Sequence, residues 1–246
     1  MTTIVTSKDI QEVYQSNGWV VQAWNEIRSK ITDENYPCYF AKRAEERGSL
    51  YYSFVNSAVS LDDLQHLTKC LWDFTNLVKG SDKKARFTLL VVFKPEFPQE
   101  SNLHYSEIFW SLLEYLHTQD KEAWPPHVST DPNNGDFEFC FNGVSLFTFV
   151  NTPAYRNRLS RNLGRSFVIV FVPASSFFGV KLLTPGGIAA RMIIHERIKK
   201  YDLIDRYPEF GKVDEGIPLS WKSYFIPDEN TPLTTECPFK VRKREV

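Results

Sequence analysis

The sequence predicts a single α+β domain in which helices pack on the faces of a mixed sheet of about five strands. Helical and strand-like hydrophobic patterns alternate along most of the 246 residues. Two runs, at 87–93 and 166–172, are almost continuously apolar, as expected of central strands that are covered on both faces. The Asn142-Gly143 pair between two aromatic runs is the strongest two-residue signal for a β-hairpin.

Four helices are predicted from apolar side chains that recur every three or four residues. They cover about 7–31, 61–78, 103–118 and 184–201. Gly18 is the point at which the first of these would break. Ser60 is the expected cap of the second helix, because Asp63 stands where an acidic side chain reaches back to the cap. Thr184-Pro185 combines a favourable cap with a first-turn proline.

Strands are predicted between these helices. They cover 50–55, 86–94, the two arms of a hairpin within 137–150, and 166–172. Within the hairpin Phe137, Phe139 and Phe141 alternate, which places them on one face of the sheet. From about residue 208 the chain is rich in Pro, Gly and Asp. This C-terminal segment is therefore predicted to be loop-rich, within one domain that comprises residues 1–246.

Composition argues against several classes of function. Lys and Arg number 29 against 30 Asp and Glu, so strong electrostatic binding to nucleic acid or to an acidic membrane is not expected. The basic end at 240–244 is interpreted as a solvated terminus. No window approaches the ~20 apolar residues of a membrane span. The start of the chain lacks the pattern of a secretory signal, so the expected compartment is the cytoplasm.

Common catalytic and metal-binding motifs do not occur in the sequence. It has no Gly-x-x-x-x-Gly-Lys loop, no Gly-x-Gly-x-x-Gly after a strand, no Gly-x-Ser-x-Gly and no His-Glu-x-x-His. His66 and Cys70 are one helical turn apart, but no second pair of ligands accompanies them. The four cysteines are far apart and form no Cys-x-x-Cys pair, so they are interpreted as buried thiols.

The helix at 103–118 carries the first candidate site residue. On a helical wheel of ~100° per residue, His117 lies about 20° from Trp110 on the apolar face, whereas His104 lies about 140° away. A histidine in this position is either a core residue or the axial ligand of haem, because haem sites present one imidazole in an aromatic, apolar pocket. His127, in the following loop, and His104 are the alternative ligands.

Three arginines follow the hairpin within six residues: Arg156, Arg158 and Arg161. They form a concentrated cationic patch at the end of a strand, in a chain that is otherwise neutral. Planar guanidinium groups suit bidentate binding of carboxylates and phosphates, including haem propionates. We therefore expect Arg158 and Arg161 to bind an anion. The alternative is a set of surface arginines that pair with acidic neighbours.

The order and spacing of these motifs resemble the YqcI/YcgG family over nearly the whole chain. The matching motifs are Pro37-Cys-Tyr-Phe40, Phe109-Trp110-x-x-Leu113-x-Tyr115-Leu116-His117-x-x-Asp120, Trp124-Pro125, Asp131-Pro132, Phe137-Glu-Phe-Cys-Phe-Asn-Gly143, Phe147, Asn151-Thr-Pro153-Ala, Arg158-x-Ser160-Arg161 and Cys237-Pro-Phe239. Some relatives in this family are haem-dependent N-oxygenases that hydroxylate a guanidine or amine nitrogen of an amino-acid substrate in natural-product biosynthesis.

The resemblance implies a monooxygenase that uses haem b, O2 and an external reductant to hydroxylate an amino-acid-like small molecule. It makes His117 the first candidate for the axial ligand of the iron. Arg156, Arg158, Arg161 and Trp110 are the expected cofactor-binding residues.

The chain departs from the N-oxygenase branch at two positions. That branch carries a histidine immediately before the proline of the post-hairpin motif and a second histidine after the next strand. Here the corresponding residues are Thr152 and Ala174. If either of those histidines binds iron, this chain lacks the ligand. The second functional hypothesis is therefore a non-redox small-ligand or anion-binding domain, in which the arginines form the site and His117 belongs to the core.

Overall fold

A six-stranded sheet with helices on both faces forms the frame of the protein in the computed structural model. The structure describes residues 3–82, 84–96, 100–177, 184–209 and 219–242. The strands in this part of the chain are β1 (Val5–Thr6), β2 (Leu50–Val55), β3 (Thr88–Phe93), β4 (Phe139–Phe141), β5 (Val144–Asn151) and β6 (Val168–Pro173). The helices are α1 (Ser7–Val13), α2 (Gly18–Thr32), α3 (Tyr39–Glu46), α4 (Leu61–Lys79), α5 (Asn102–Gln119) and α6 (Pro185–Tyr201).

The strand order is β1-β2-β3-β6-β5-β4, and the sheet is mixed. Strands β2 and β3 are parallel and are connected through α4, whereas every other pairing in the described sheet is antiparallel. The predicted α+β class is thus confirmed. The additional strand is β1, which pairs only two residues with β2 and is too short to produce a recognisable hydrophobic alternation.

Two hydrophobic layers cover the sheet. Val91 belongs to the layer beneath α4 and α5, and its neighbours Leu90 and Val92 belong to the layer beneath α2 and α3. Successive side chains of a strand point to opposite faces, so both sets are buried when both faces are covered. This is why the central strands β3 and β6 are almost continuously apolar in the sequence.

The predicted hairpin is confirmed, and the first residue of its turn, Asn142, is buried. Asn142 and Gly143 have φ angles of 52° and 69°, the left-handed conformation that a tight two-residue hairpin turn requires. The side-chain amide of Asn142 donates to Thr75 Oγ1 at 3.0 Å and to Asn76 Oδ1 at 2.9 Å, both on α4. Its backbone N–H donates to Asp120 Oδ2 at 2.9 Å, at the end of α5. The turn therefore joins the hairpin to two helices.

The predicted helices are found within one or two residues of their expected ends, with two differences. The first predicted helix is divided into α1 and α2, and α2 begins at Gly18. Asp63 does not reach back to Ser60 but accepts the backbone N–H of Asn56 at 3.1 Å, so it stabilises the loop before the helix. Helix α3 was not expected from the sequence. Among the described helices none is both long enough and apolar enough to cross a membrane.

Residues 219–242 of the C-terminal segment complete the core, whereas 210–218, in the stretch predicted to be loop-rich, lie outside the described residues. Within residues 219–242 its only helical turn is Ser220–Ser223. Tyr224 O accepts the N–H of Val150 on β5 at 3.2 Å, and Tyr224 Oη accepts the N–H of Phe139 at 3.0 Å. Phe239 is 1 % exposed and packs against the aromatic rings of the hairpin. This segment therefore closes the open side of β5.

The Asn142 turn leads to a prediction about stability. Asn142→Gly keeps the left-handed backbone but removes three side-chain hydrogen bonds, to Thr75, Asn76 and Lys79, which should lower the free energy of unfolding by about 1–3 kcal/mol. Asn142→Ala should lower the free energy of unfolding by about 1 kcal/mol more than Asn142→Gly does, because a Cβ disfavours positive φ. Urea denaturation of both variants measures the difference. Equal stability of the two variants would contradict an energetic cost of positive φ at this position.

Candidate functional site

His117 is buried in the structure, near the C-terminal end of α5. Its Nε2 accepts the backbone N–H of Arg242 at 3.1 Å. The ring of Trp124 packs edge-on against it at 5.6 Å between centroids, and the ring of Phe239 does so at 5.5 Å. The imidazole is thus enclosed by the loop after α5 and by the C-terminal segment.

The alternative histidines lie elsewhere. His104 is half-buried on the first turn of α5, where its backbone N–H is capped by Ser101 Oγ at 3.2 Å. His127 is exposed in the loop before the hairpin. Neither lies at a described cavity. Among the described residues, no group of three or more His, Cys, Asp or Glu side chains is arranged to hold a metal ion.

Thr152 and Ala174, the positions at which the resemblance implies histidines in the N-oxygenase branch, lie at opposite ends of the β5–β6 pair. Thr152 follows Asn151, which pairs with Val168, whereas Ala174 follows Pro173 at the other end of β6. At about 3.3 Å per residue these positions are roughly 20 Å apart. One iron could therefore not bind side chains at both positions. Thr152 is fully buried, and its hydroxyl donates to Asn102 Oδ1 at 2.7 Å.

The segment of residues 156–161 carries the three predicted arginines and is called the arginine loop. Arg158 is only 3 % exposed. Its Nε donates to Pro227 O at 2.6 Å, and its Nη2 donates to Asn230 Oδ1 at 2.6 Å. Its guanidinium also lies 5.8 Å from the ring centroid of Tyr207. Arg158 thus binds carbonyl and amide oxygens of the C-terminal part of the chain.

The carboxylate that the arginine loop binds is the protein's own Asp228. Its oxygens accept the backbone N–H groups of Arg156 at 3.0 Å, Asn157 at 3.0 Å and Arg158 at 2.9 Å. Three convergent backbone N–H groups form a typical anion-binding concavity. The side chain of Arg156 is exposed, so this arginine contributes its backbone to the contact.

Arg161 lies on the inner side of the loop. Its guanidinium is 4.5 Å from the ring centroid of Phe149 on β5, and its Nη1 donates to Val150 O at 3.4 Å. Burial lowers the pKa of Arg161 from its ordinary value, while the nearby Tyr155 and Tyr36 oppose that shift. The side chain remains charged, because arginine pKa values lie far above neutrality. Carboxylate binding by Arg161 stays a prediction.

Trp110, which was predicted to bind the cofactor together with the arginines, lines a cleft that the arginines do not line. One face of α5 and the C-terminal segment enclose a cleft of about 340 Å³, which we call the α5 cleft. It is lined by Leu103, Ser106, Glu107, Trp110, Ser111, Glu114, Leu233, Thr234 and Pro238. No arginine and no histidine is among these residues. The arginine loop and His117 therefore do not contribute to the lining of this cleft.

Sequence reasoning did not bring the two glutamates of the cleft together in one place. Glu107 and Glu114 are seven residues apart, so they share a face of α5 with Trp110 between them. The opposite wall comes from residues 233–238, which are more than 100 positions away in sequence. The spacing of the glutamates was visible in the sequence, but the wall that turns an exposed helix face into a cleft was not.

These features define a single-domain α+β protein with an acidic cleft beside one helix of a mixed sheet. The chain belongs to the YqcI/YcgG family, whose model matches residues 27–240. This confirms the family resemblance that the sequence motifs indicated.

Three proteins illustrate the similarity. The chain is 32 % identical over 229 residues to a Streptomyces lavendulae protein named "Putative N(omega)-hydroxy-L-arginine synthase DcsA", covering 92 % of this chain and 86 % of that one. It is 27 % identical to the uncharacterised YqcI of Bacillus subtilis strain 168, covering 99 % and 96 % of the two chains. It is also 27 % identical to YcgG of the same strain, covering 85 % and 83 %. No solved structure matches the chain.

The environment of His117 leads to the second prediction. His117→Ala should lower the free energy of unfolding, because it removes the acceptor for the Arg242 N–H and the packing against Trp124 and Phe239. It should leave any absorption spectrum of added haem unchanged. His104→Ala, on the same helix but half-exposed, is the control. A stable His117→Ala protein that loses a haem Soret band would instead identify His117 as an iron ligand.

The third prediction concerns the arginine loop. Arg158→Lys keeps the charge but loses the planar fork that reaches Pro227 and Asn230, so it should lower the free energy of unfolding by about 2–3 kcal/mol. Arg156→Lys changes an exposed side chain and should change stability by less than about 0.5 kcal/mol. Urea denaturation compares the two variants. Equal effects would contradict a structural role for the Arg158 guanidinium.

Proposed function

We propose that this protein hydroxylates a guanidine or amine nitrogen of an amino-acid-like small molecule. The observation that carries the proposal is the 32 % identity to the Streptomyces lavendulae protein, which covers 92 % of this chain. The name of that relative describes a synthase of an N-hydroxylated arginine. Similarity over nearly the full length supports the same type of reaction and substrate, because the comparison includes α5 and the arginine loop.

Haem b, O2 and an external reductant are what the family resemblance implies for this reaction. A monooxygenation inserts one oxygen atom of O2 into the N–H bond, and two electrons and two protons convert the other atom to water. Haem supplies this oxygen chemistry when it is bound, and a protein supplies binding, orientation and access.

The described residues do not fit haem in this arrangement. The imidazole of His117 accepts a backbone hydrogen bond and is enclosed by two aromatic rings. The α5 cleft contains no histidine. Arg158 is occupied by oxygens of the C-terminal segment. We therefore assign no ligand to iron and derive no catalytic step from it.

This misfit favours a second candidate function, a small-ligand-binding domain without redox chemistry. The arginine loop shows that the fold can bind a carboxylate, since it binds that of Asp228 through three backbone N–H groups. In this alternative the protein binds an amino-acid-like molecule and does not transform it.

An oxygen-transfer assay decides between the two functions, and it is the fourth prediction. Purified protein that has been supplemented with haem b is incubated with L-arginine, O2 and an artificial electron donor. We expect a product that has gained one oxygen atom on nitrogen, detected by mass spectrometry, with the atom derived from isotopically labelled O2. Haem without protein is the control for uncatalysed oxidation.

The absorption spectrum of the same sample tests the cofactor separately. A Soret band that shifts on reduction supports haem as the cofactor. An optically silent protein at stoichiometric haem, together with no hydroxylated product, would reject the oxygenase and leave the binding domain.

A further inference from the structure

The arginine loop holds the carboxylate of Asp228 as an anion-binding site holds a ligand. Oδ1 of Asp228 accepts the backbone N–H groups of Asn157 at 3.0 Å and Arg158 at 2.9 Å. Oδ2 accepts those of Arg156 at 3.0 Å and Asn157 at 3.2 Å. Three consecutive N–H groups therefore bind both oxygens of one planar carboxylate.

The guanidinium beside this contact is bound to neutral oxygens. Arg158, which is buried, donates to Pro227 O at 2.6 Å, to Asn230 Oδ1 at 2.6 Å and to Asp205 O at 3.4 Å. These bonds use three of the five N–H donors of an arginine. Within the described part of the chain the guanidinium forms no ion pair with a carboxylate. A ligand carboxylate would supply that partner.

Asp228 belongs to a short segment that lies against the arginine loop, residues 227–230, which we call the strap. It contains no helix or strand. Glu229 and Asn230 are exposed, so the contact lies at the surface of the protein. The hydrogen bonds described for the strap go to the arginine loop or to Asp205 O. A segment held by so few bonds opens at a lower free energy than the whole domain unfolds.

We propose that the arginine loop is a binding site for the carboxylate of a small molecule, and that the strap closes this site. Asp228 is then an internal competitor that occupies the place of the ligand. When the strap opens, the three backbone N–H groups bind the ligand carboxylate. Arg158, released from Pro227 and Asn230, donates to the same group. The inference is independent of the proposed function, because it requires no oxygen chemistry.

The strap sets the affinity of the wild-type protein. An open state that is populated to ~1–10 % lowers the apparent affinity for the ligand by ~10–100-fold. A variant in which Asp228 no longer competes should recover this factor. A carboxylate that serves only to stabilise the loop would give no such gain.

Removal of the Asp228 carboxylate tests the site, as the fifth prediction. Asp228→Ala leaves three N–H donors without their acceptor and should lower the melting temperature. Sodium acetate should raise the melting temperature of this variant in a saturable manner, because its carboxylate binds in the same place. Sodium chloride at equal ionic strength measures the effect of screening alone.

Two further variants show whether the effect is specific. Glu229→Ala removes an exposed carboxylate one residue away and should respond to acetate as the wild type does. Isothermal titration should show that Asp228→Ala binds acetate at least ~10-fold more tightly than the wild type. Asp228→Asn keeps one acceptor oxygen without the charge, so its affinity for acetate should lie between these two.

Closure by the strap has its own measurement in the wild-type protein. The Arg158 Nε–H resonance reports the hydrogen bond to Pro227 O. It should shift at saturating acetate and stay in place in sodium chloride. An unchanged resonance at saturating acetate would overturn the closing role of the strap.

The remaining outcomes decide the carboxylate site itself. The inference is overturned if acetate stabilises Asp228→Ala no more than chloride does, since Asp228 is then only part of the fold. Equal stabilisation of Asp228→Ala and Glu229→Ala by acetate overturns it as well, because a general salt effect would explain both. If Asp228→Ala does not fold, Asp228→Asn takes its place, and wild-type affinity of that variant for acetate rejects the site.

Discussion

The buried amide of Asn142 is the interaction on which the arrangement of both candidate sites depends. It holds a left-handed hairpin turn against α4 through Thr75 and Asn76, and the same turn binds the end of α5 through Asp120. Strand β5 leaves this turn and leads to the arginine loop, while α5 carries one wall of the cleft. A polar group at this depth is stable only when its hydrogen bonds are made, so the positions of hairpin and helix are fixed together.

The C-terminal segment connects the three places that the sequence singled out. Asp228 accepts backbone N–H groups of the arginine loop, residues 233–238 form a wall of the α5 cleft, and the backbone of Arg242 binds His117. A segment without long helices can contact all three places, because its backbone hydrogen bonds are made to the sheet and to side chains rather than within a helix. The surroundings of these residues therefore depend on how this segment packs as well as on the sheet and helices.

The arginine loop and the α5 cleft have opposite electrostatic character. The loop concentrates positive charge and backbone N–H groups, and these already bind oxygens of the chain itself. The cleft carries the carboxylates of Glu107 and Glu114. In this structure Asp228 accepts the backbone N–H groups of the loop, and oxygens of Pro227 and Asn230 accept the Arg158 guanidinium.

The sequence by itself determined the elements whose signals are local. Asn142-Gly143 selects a tight turn because these two residues tolerate positive φ, and the apolar runs of β3 and β6 report burial on both faces. Family membership was also readable from the order of short motifs. Only the tertiary structure decided what the site residues contact. The partner of His117 is 125 positions away, and the main-chain oxygen bound by Arg158 Nε is 69 positions away. Contacts at such separations depend on the folded path of a loop-rich segment, for which hydrophobic periodicity carries no signal.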